Sequence, residues 1–333
     1  MAVEEANQQR GKASDAIRFQ LVPQDDHGNP NIAVHVASYF VKSRVSGLIG
    51  HWSSDTVFAV AETYERAGIA QLNFTPTNSE LTSRGYKTMF RVIGGTYDTG
   101  TSQADTAIDV LKGQRIVVIG NDSSYSKGMT DAFVAEVTAR GKKVAQHTTV
   151  GVTTSDFNTV LKSAVDADAD VIFFSAYVAQ AEAFLKTVKR MKIDAKILLN
   201  PGASNQDFSA QDNGNLYVLE PDVLQEQCPQ WKTFYQKFVA RYGRPPSTYS
   251  RYTYNAANLL IQAIRQVDST DVAQVTSALH KIRYAGLGGE IAFDPAGNLI
   301  NPTYTLYRAE GSHWQNVRAP SAEKSSAARC PKG

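Results

Sequence analysis

The stretch GHWSSDT, residues 50–56, sets a histidine, a tryptophan, two serines, an aspartate and a threonine in a row directly after the apolar run VSGLIG. Two chemistries call for such residues. One is nucleophilic catalysis, with Ser53 or Ser54 attacking and His51 as base. The other is capture of an anion by hydroxyls and backbone N–H groups. The spacing speaks against the first. No G-x-S-x-G elbow surrounds the serines, and nothing visible in sequence would hold a histidine in the same loop as a triad member. The second fits the setting, because a helical pattern begins near Thr56 and its first turn offers unpaired N–H groups and the positive end of a helix dipole. The expected guest is a carboxylate. Ser54 also reads as a plain helix N-cap, and one residue can serve both purposes.

Other chemistry is sparse. The six histidines (27, 35, 51, 147, 280, 313) are scattered singly, and none pairs with another at helical metal-ligand spacing. Neither a metal nor a cofactor is expected. Cys228 and Cys330 are the two cysteines, which excludes a cysteine zinc site and leaves either two free thiols or one disulfide. With 34 Lys+Arg against 32 Asp+Glu there is no charge asymmetry of the kind that nucleic acid or an anionic membrane demands. No window approaches the roughly eighteen apolar residues of a transmembrane helix, and MAVEEANQQRGK has no apolar core of a secretory signal.

The elements that would position the loop follow from hydrophobic period. Apolar runs at 17–22, 45–50, 69–74, 115–120, 143–150, 170–176 and 195–200 alternate with helical stripes such as Val57, Val60, Ala61, Tyr64 and Phe157, Val160, Leu161, Ala164. This is α/β with parallel sheets. A shift of 125 residues lays AQLNFTP, from Ala70, on AKILLNP, from Ala195, and Trp52 on Tyr177. Two similar lobes are expected from that internal repeat. Beyond residue 220 long helical patterns take over, and GLGGEIAFDPAGNLINPTYTLYR reads as a hairpin turning at DPAGN.

These landmarks, with QDDHGNP (24–30), FTPTNSELTSRGYKTMFR (74–91), NDSSYSKG (121–128), FFSAY (173–177) and FDPAGN (293–298), resemble the type I periplasmic solute-binding proteins of branched-chain amino acid ABC transporters. The resemblance covers residues 1 to about 318. It implies a periplasmic-binding-protein-like type I fold, with two Rossmann-like lobes joined by a three-strand hinge near 92–97, 218–223 and 298–302. The lobes would be 1–94 plus 222–299 and 95–221 plus 300–318, followed by a flexible tail at 319–333. The implied function is capture of an amino acid or related carboxylate in the cleft and delivery to ABC permease subunits, in the periplasm, by a monomer that is not an enzyme. The alternatives are a binder of aromatic or aliphatic carboxylates or amides, and a ligand-sensing module of the same fold.

The resemblance carries ligand contacts onto Ser54, Thr77 and Ser79, with Ser53, Asp55 and Asn78 beside them, and aromatic walls onto Tyr125 and Tyr177, with Trp52 a further wall. Asp25 and Asp26 are expected to organise their loop. Three departures stand out. Gly202 occupies the position of the family's acidic partner for the ligand's ammonium, so Asp55, Asp122 or Asp207 takes over or the ligand lacks an ammonium. Gly28 and Ser53 stand where leucine-type proteins have a disulfide. The chain also opens inside the family's first helix, so the expectation is a truncated sequence that lacks one middle strand and the export signal.

Overall fold

The structure, a computed structural model, describes residues 1–8, 17–208, 212, 214–221 and 229–317. These residues divide into two compact units, each discontinuous in sequence. The first holds 1–8, 17–95 and 229–302, and the second holds 96–208, 212, 214–221 and 303–317.

In the first unit α1 (Ala2–Gln8) precedes α2 (Pro30–Lys42). The side chain of Asn29 caps α2 by accepting the Asn31 N–H at 2.9 Å, and Pro30 supplies a φ already suited to a first helical turn. There follow β1 (Leu48–Ile49), α3 (Ser54–Ala67), β2 (Gln71–Asn73), α4 (Glu80–Ser83) and β3 (Met89–Arg91). The strands pair in parallel in the order β1-β2-β3, with Leu48 opposite Gln71 and Leu72 opposite Phe90. α3 ends at Gly68, whose φ of 69° is the left-handed conformation that glycine adopts without a Cβ penalty. Residues 17–22, expected to be a strand, are not one. No neighbour among the described residues completes a ladder with them, and their backbone is held by Asn7 of α1, which donates to Phe19 O at 2.9 Å and accepts from the Phe19 N–H at 3.0 Å.

The second unit opens with α5 (Thr96–Asp105), which runs into a π-helical turn at Thr106–Val110. It continues through β4 (Ile116–Asn121), α6 (Ser124–Ala139), β5 (Val144–Val150), α7 (Asn158–Asp166), β6 (Val171–Ser175), α8 (Val178–Arg190), β7 (Lys196–Leu199), a 3-10 turn at Ala203–Asn205 and β8 (Leu216–Glu220). β4 and β6 are buried along their whole length, as parallel strands covered on both faces must be. Val117 and Ile119 pack with Phe157, Leu161 and Phe184 in one core, while Ile116 and Val118 pack with Ala104 and Phe133 in another. The offset of 125 matches β1, α3 and β2 with β6, α8 and β7.

The chain then returns to the first unit as α9 (Pro229–Tyr242), α10 (Ser250–Val267), α11 (Val272–Leu279) and a hairpin of β9 (Tyr284–Gly286) with β10 (Gly289–Ile291). α10 lays Ala256, Leu259, Ala263 and Ile264 against Ala70, Leu72 and Phe90. The hairpin therefore turns at 287–288, not at DPAGN. DPAGN is a second tight turn, closed by Asp294 N–H to Asn298 O at 2.9 Å and a single bridge between Phe293 and Leu299. The TLYR segment beyond it joins the second unit, where β11 (Thr305–Glu310) and β12 (His313–Val317) run antiparallel. The full order there is β12-β11-β8-β7-β6-β4-β5.

Cys228 and Cys330, the tail at 319–333 and part of the expected crossover at 218–223 lie outside the described residues. Among the described residues no helix is long and apolar enough to cross a membrane, and no group of three or more His, Cys, Asp and Glu could hold a metal ion.

Candidate ligand site

In a parallel sheet the loops at the carboxyl ends of the strands carry the helix N-termini, and ligands gather there. Ser53 is the N-cap of α3: its Oγ accepts the Thr56 N–H at 3.1 Å, and Thr56 Oγ1 accepts the Ser53 N–H at 3.2 Å. The Ser53 hydroxyl is thus spent on the helix. Ser54, the first helical residue, is buried, and its Oγ accepts the Asn78 N–H at a long 3.5 Å. That contact joins the end of β1 to the loop after β2. Thr77 lies in this loop, 4% exposed, and its Oγ1 is buried with no hydrogen-bond partner among the described residues. A buried hydroxyl left unmade costs about 1–3 kcal/mol, so a group to meet it is expected.

Asn78 Oδ1 accepts the Glu80 N–H at 2.9 Å, and Ser79 precedes α4 without a side-chain cap bond. Asp55 stands in the first turn of α3, where its charge favours the helix dipole. Trp52 is 53% exposed, edge-on to Phe74 (5.8 Å between centroids) and Tyr249 (5.3 Å). Its carbonyl accepts the Thr75 hydroxyl at 2.6 Å.

The loop is fixed from beneath by a buried cation. Arg91, at the end of β3, donates from Nη1 to Thr77 O at 2.6 Å and to Asn78 O at 2.9 Å. Its Nη2 donates to Thr82 Oγ1 at 2.7 Å and to Asn298 Oδ1. Asn298 is in turn held by Asp294, which accepts its amide N–H at 2.8 Å. Gly95 belongs to the same corner: a Cβ there would lie 3.0 Å from Ser79 Oγ and 3.3 Å from the Arg91 guanidinium.

His51 is occupied elsewhere. Its Nδ1 lies 2.5 Å from Asp26 Oδ2 and its Nε2 3.0 Å from Tyr64 Oη, so neither ring nitrogen serves Ser53 or Ser54. Burial pushes the imidazole below its ordinary pKa, against the opposing pull of Asp26. Burial, with Asp26 adding to it, raises the Tyr64 phenol. Asp25 and Asp26 accept the N–H groups of His27 and Gly28, each at 2.8 Å, and shape the loop between them.

In the second unit Tyr125 and Tyr177 stack, with ring centroids 5.4 Å apart and planes 15° from parallel. Tyr125 sits in the first turn of α6 and Tyr177 immediately before α8. Their loops are cross-braced. Asn121 donates to Gln180 Oε1 at 2.6 Å and accepts the Ser123 hydroxyl at 2.6 Å, while Ser126 Oγ donates to Ser175 O at 2.5 Å. Asn200, after β7, donates to Ser175 Oγ at 2.8 Å and brings the Gly202 loop to the same sheet end.

Gly202 has φ 96°, and its N–H meets the Glu220 carboxylate at 2.8 and 2.9 Å. Glu220, 1% exposed, also accepts the Ser204 N–H at 3.2 Å and the Ser204 hydroxyl at 2.7 Å. An acid thus stands at Gly202, but it comes from the end of β8 and was not among the three aspartates considered. Of those, Asp122 is exposed and accepts the Val152 N–H at 2.8 Å.

Sequence reasoning singled out the hydroxyls and did not name Arg91, Thr82, Asn298 and Glu220. The available signals were an arginine inside the apolar run TMFRVIG and a glutamate closing the run LYVLE.

The chain belongs to a family of periplasmic binding proteins, whose sequence pattern matches residues 1–313. It is similar to the leucine-, isoleucine-, valine-, threonine- and alanine-binding protein of Pseudomonas aeruginosa, at 27% identity over 311 residues, 92% of this chain and 82% of the relative. The fold is shared with a leucine binding protein from Thermotoga maritima (TM-score 0.85, 21% identity, 95% of this chain and 91% of that one). It is shared also with an ABC transporter substrate-binding protein from Desulfitobacterium hafniense in complex with Leu (TM-score 0.80, 24% identity, 95% and 93%).

Proposed function

We propose that this chain is the substrate-binding protein of an ABC importer, working in the periplasm, and that it captures an amino acid unchanged for delivery to permease subunits. The observation that carries the reading is the buried Thr77 hydroxyl, without a partner among the described residues, in the loop that Ser54 and the start of α3 adjoin. Hydroxyls and helical N–H groups together suit a carboxylate. In the second unit, taken by itself, the Glu220 carboxylate at Gly202 suits a cationic group, and the Tyr125–Tyr177 pair suits an apolar or aromatic one. The Pseudomonas relative is a leucine-, isoleucine-, valine-, threonine- and alanine-binding protein, and those amino acids are the first ligands to try. An enzymatic role is disfavoured, because Ser53 is a helix cap and His51 is engaged by Asp26 and Tyr64.

The stacked tyrosines of the second unit favour one second reading, an aromatic carboxylate. Calorimetry with leucine, isoleucine, valine, isovalerate, leucinamide and benzoate separates the two. Tight binding of leucine with loss for both isovalerate and leucinamide supports the amino acid reading. Benzoate binding without leucine binding supports the second, and heat from neither class sinks both.

A further inference from the structure

In the first unit a charge sits where a charge is costly. Arg91, the last residue of β3, is 2% exposed, and a guanidinium is tolerated in such a place when its N–H groups are met. Two separate segments meet it, the loop that carries Thr77 and the turn at 294–298. Nη1 donates to Thr77 O (2.6 Å) and Asn78 O (2.9 Å), while Nη2 donates to Thr82 Oγ1 (2.7 Å) and to Asn298 Oδ1. The backbone is held from the same turn, since the Arg91 N–H donates to Gly297 O at 2.9 Å. Asp294 fixes that turn in its own right, accepting the N–H groups of Ala296 (2.9 Å) and Asn298 (2.8 Å) and the Asn298 side-chain amide (3.0 Å).

Two carbonyls on one guanidinium decide where the other half of each peptide goes. The Asn78 N–H shares a trans peptide with the Thr77 carbonyl, and the Ser79 N–H shares one with the Asn78 carbonyl. In a trans peptide N–H and C=O point in opposite directions, so both N–H groups are turned away from Arg91. The first of them reaches toward α3, where Ser54 Oγ accepts it at a long 3.5 Å. Successive N–H groups turned the same way form a concavity that receives anions, and donation from a cation to the carbonyl of the same peptide polarises each N–H further. The Thr77 side chain leaves the backbone directly before the first of these peptides, and its direction depends on the same hold. Arginine suits the task because its rigid fork meets several acceptors at once, which a lysine ammonium does not.

We propose that Arg91 is a positioning residue for ligand capture. Clamped by Thr82 and Asn298, it fixes the two peptides whose N–H groups, with the Thr77 hydroxyl, receive the anion. It acts through those peptides, so the ligand meets neutral donors that a buried charge holds in place. Affinity thereby depends on a turn that begins at Asp294, outside the loop itself. The effect on affinity rests on the ligand reading above, and the effect on the loop rests on the hydrogen bonds alone.

The test combines backbone amide NMR of the ligand-free chain with calorimetric titration of leucine, on the full chain and on Arg91→Lys, Arg91→Gln and Thr82→Val. The Asn78 and Ser79 amide resonances should move in all three variants. Leucine should bind at least about tenfold more weakly to Arg91→Gln, with part of the loss recovered in Arg91→Lys, which keeps the charge without the fork. Thr82→Val removes one acceptor and keeps the side chain's shape, so it applies the same test should the Arg91 variants fail to fold. Leu279→Ala, in the core on α11, is the control for lost stability: it should lower Tm while leaving the two resonances and the leucine affinity in place. Unmoved resonances in the folded variants, or full leucine affinity despite moved ones, would overturn the proposal. So would an equal loss of affinity in Leu279→Ala, since stability alone would then explain it. A parent chain that binds no amino acid or carboxylate fails the ligand reading instead, and the resonances then decide by themselves whether Arg91 holds the loop.

Discussion

Thr77 and Ser53 carry hydroxyls in opposite circumstances, and the contrast gives a test at the level of single atoms. Thr77→Val keeps the shape and removes a buried hydroxyl that no described residue meets, so stability should hold or rise by up to about 1 kcal/mol while ligand affinity falls about tenfold. Ser53→Ala removes a working cap and should lower stability by about 1 kcal/mol in thermal or urea unfolding. Gly297 is a third kind of position. Its φ is 86°, and a Cβ there would sit 1.9 Å from Met89 O, so Gly297→Ala should cost about 3 kcal/mol or more. The same change would loosen Arg91, whose N–H donates to Gly297 O at 2.9 Å. The hydroxyl loops were legible because their residues are contiguous and follow apolar runs. The Arg91–Asn298 contact spans 207 residues, and no local pattern announces a pair so far apart.

At the scale of elements, His51 ties the 24–28 loop, through Asp26, to α3, through Tyr64. Its folded pKa lies below the ordinary value of 6.5 because burial penalises the imidazolium. The unfolded chain therefore binds the proton more readily, and this contribution to stability is present above about pH 6.5 and lost as pH falls through the folded pKa. Tm measured from pH 8 to pH 5 should fall on the acid side, and His51→Gln should flatten that part of the profile; an unchanged profile would contradict the assignment. Helices such as α3 and α10 were readable from their stripes because each buries one face against a sheet. The run at 17–22 was misread for a reason that periodicity cannot contain: a strand exists only with a hydrogen-bonded neighbour, and its backbone is met by the Asn7 side chain. DPAGN was a true turn, but the segment after it pairs with β8 of the other unit rather than folding back.

For the whole molecule, the repeat at 125 residues disclosed two units of one plan, and the resemblance disclosed the family that the match over residues 1–313 establishes. Chain order alone did not disclose that each unit is assembled from separated stretches, because a return such as that of α9 to the first unit leaves no mark on local composition. Function at this scale is linkage. A ligand that binds only the folded chain stabilises it by about 2.7 kcal/mol at a hundredfold excess over Kd. The most direct measurement is a calorimetric titration of the chain with leucine, run in parallel on Ser54→Ala and Thr77→Val, with unfolding curves to show that all three are folded. The account predicts saturable one-to-one binding by the parent chain and at least about tenfold weaker binding by each variant. Saturable binding that both folded variants retain at full strength would contradict the site, and a folded parent chain that takes up no amino acid or related carboxylate would contradict the function.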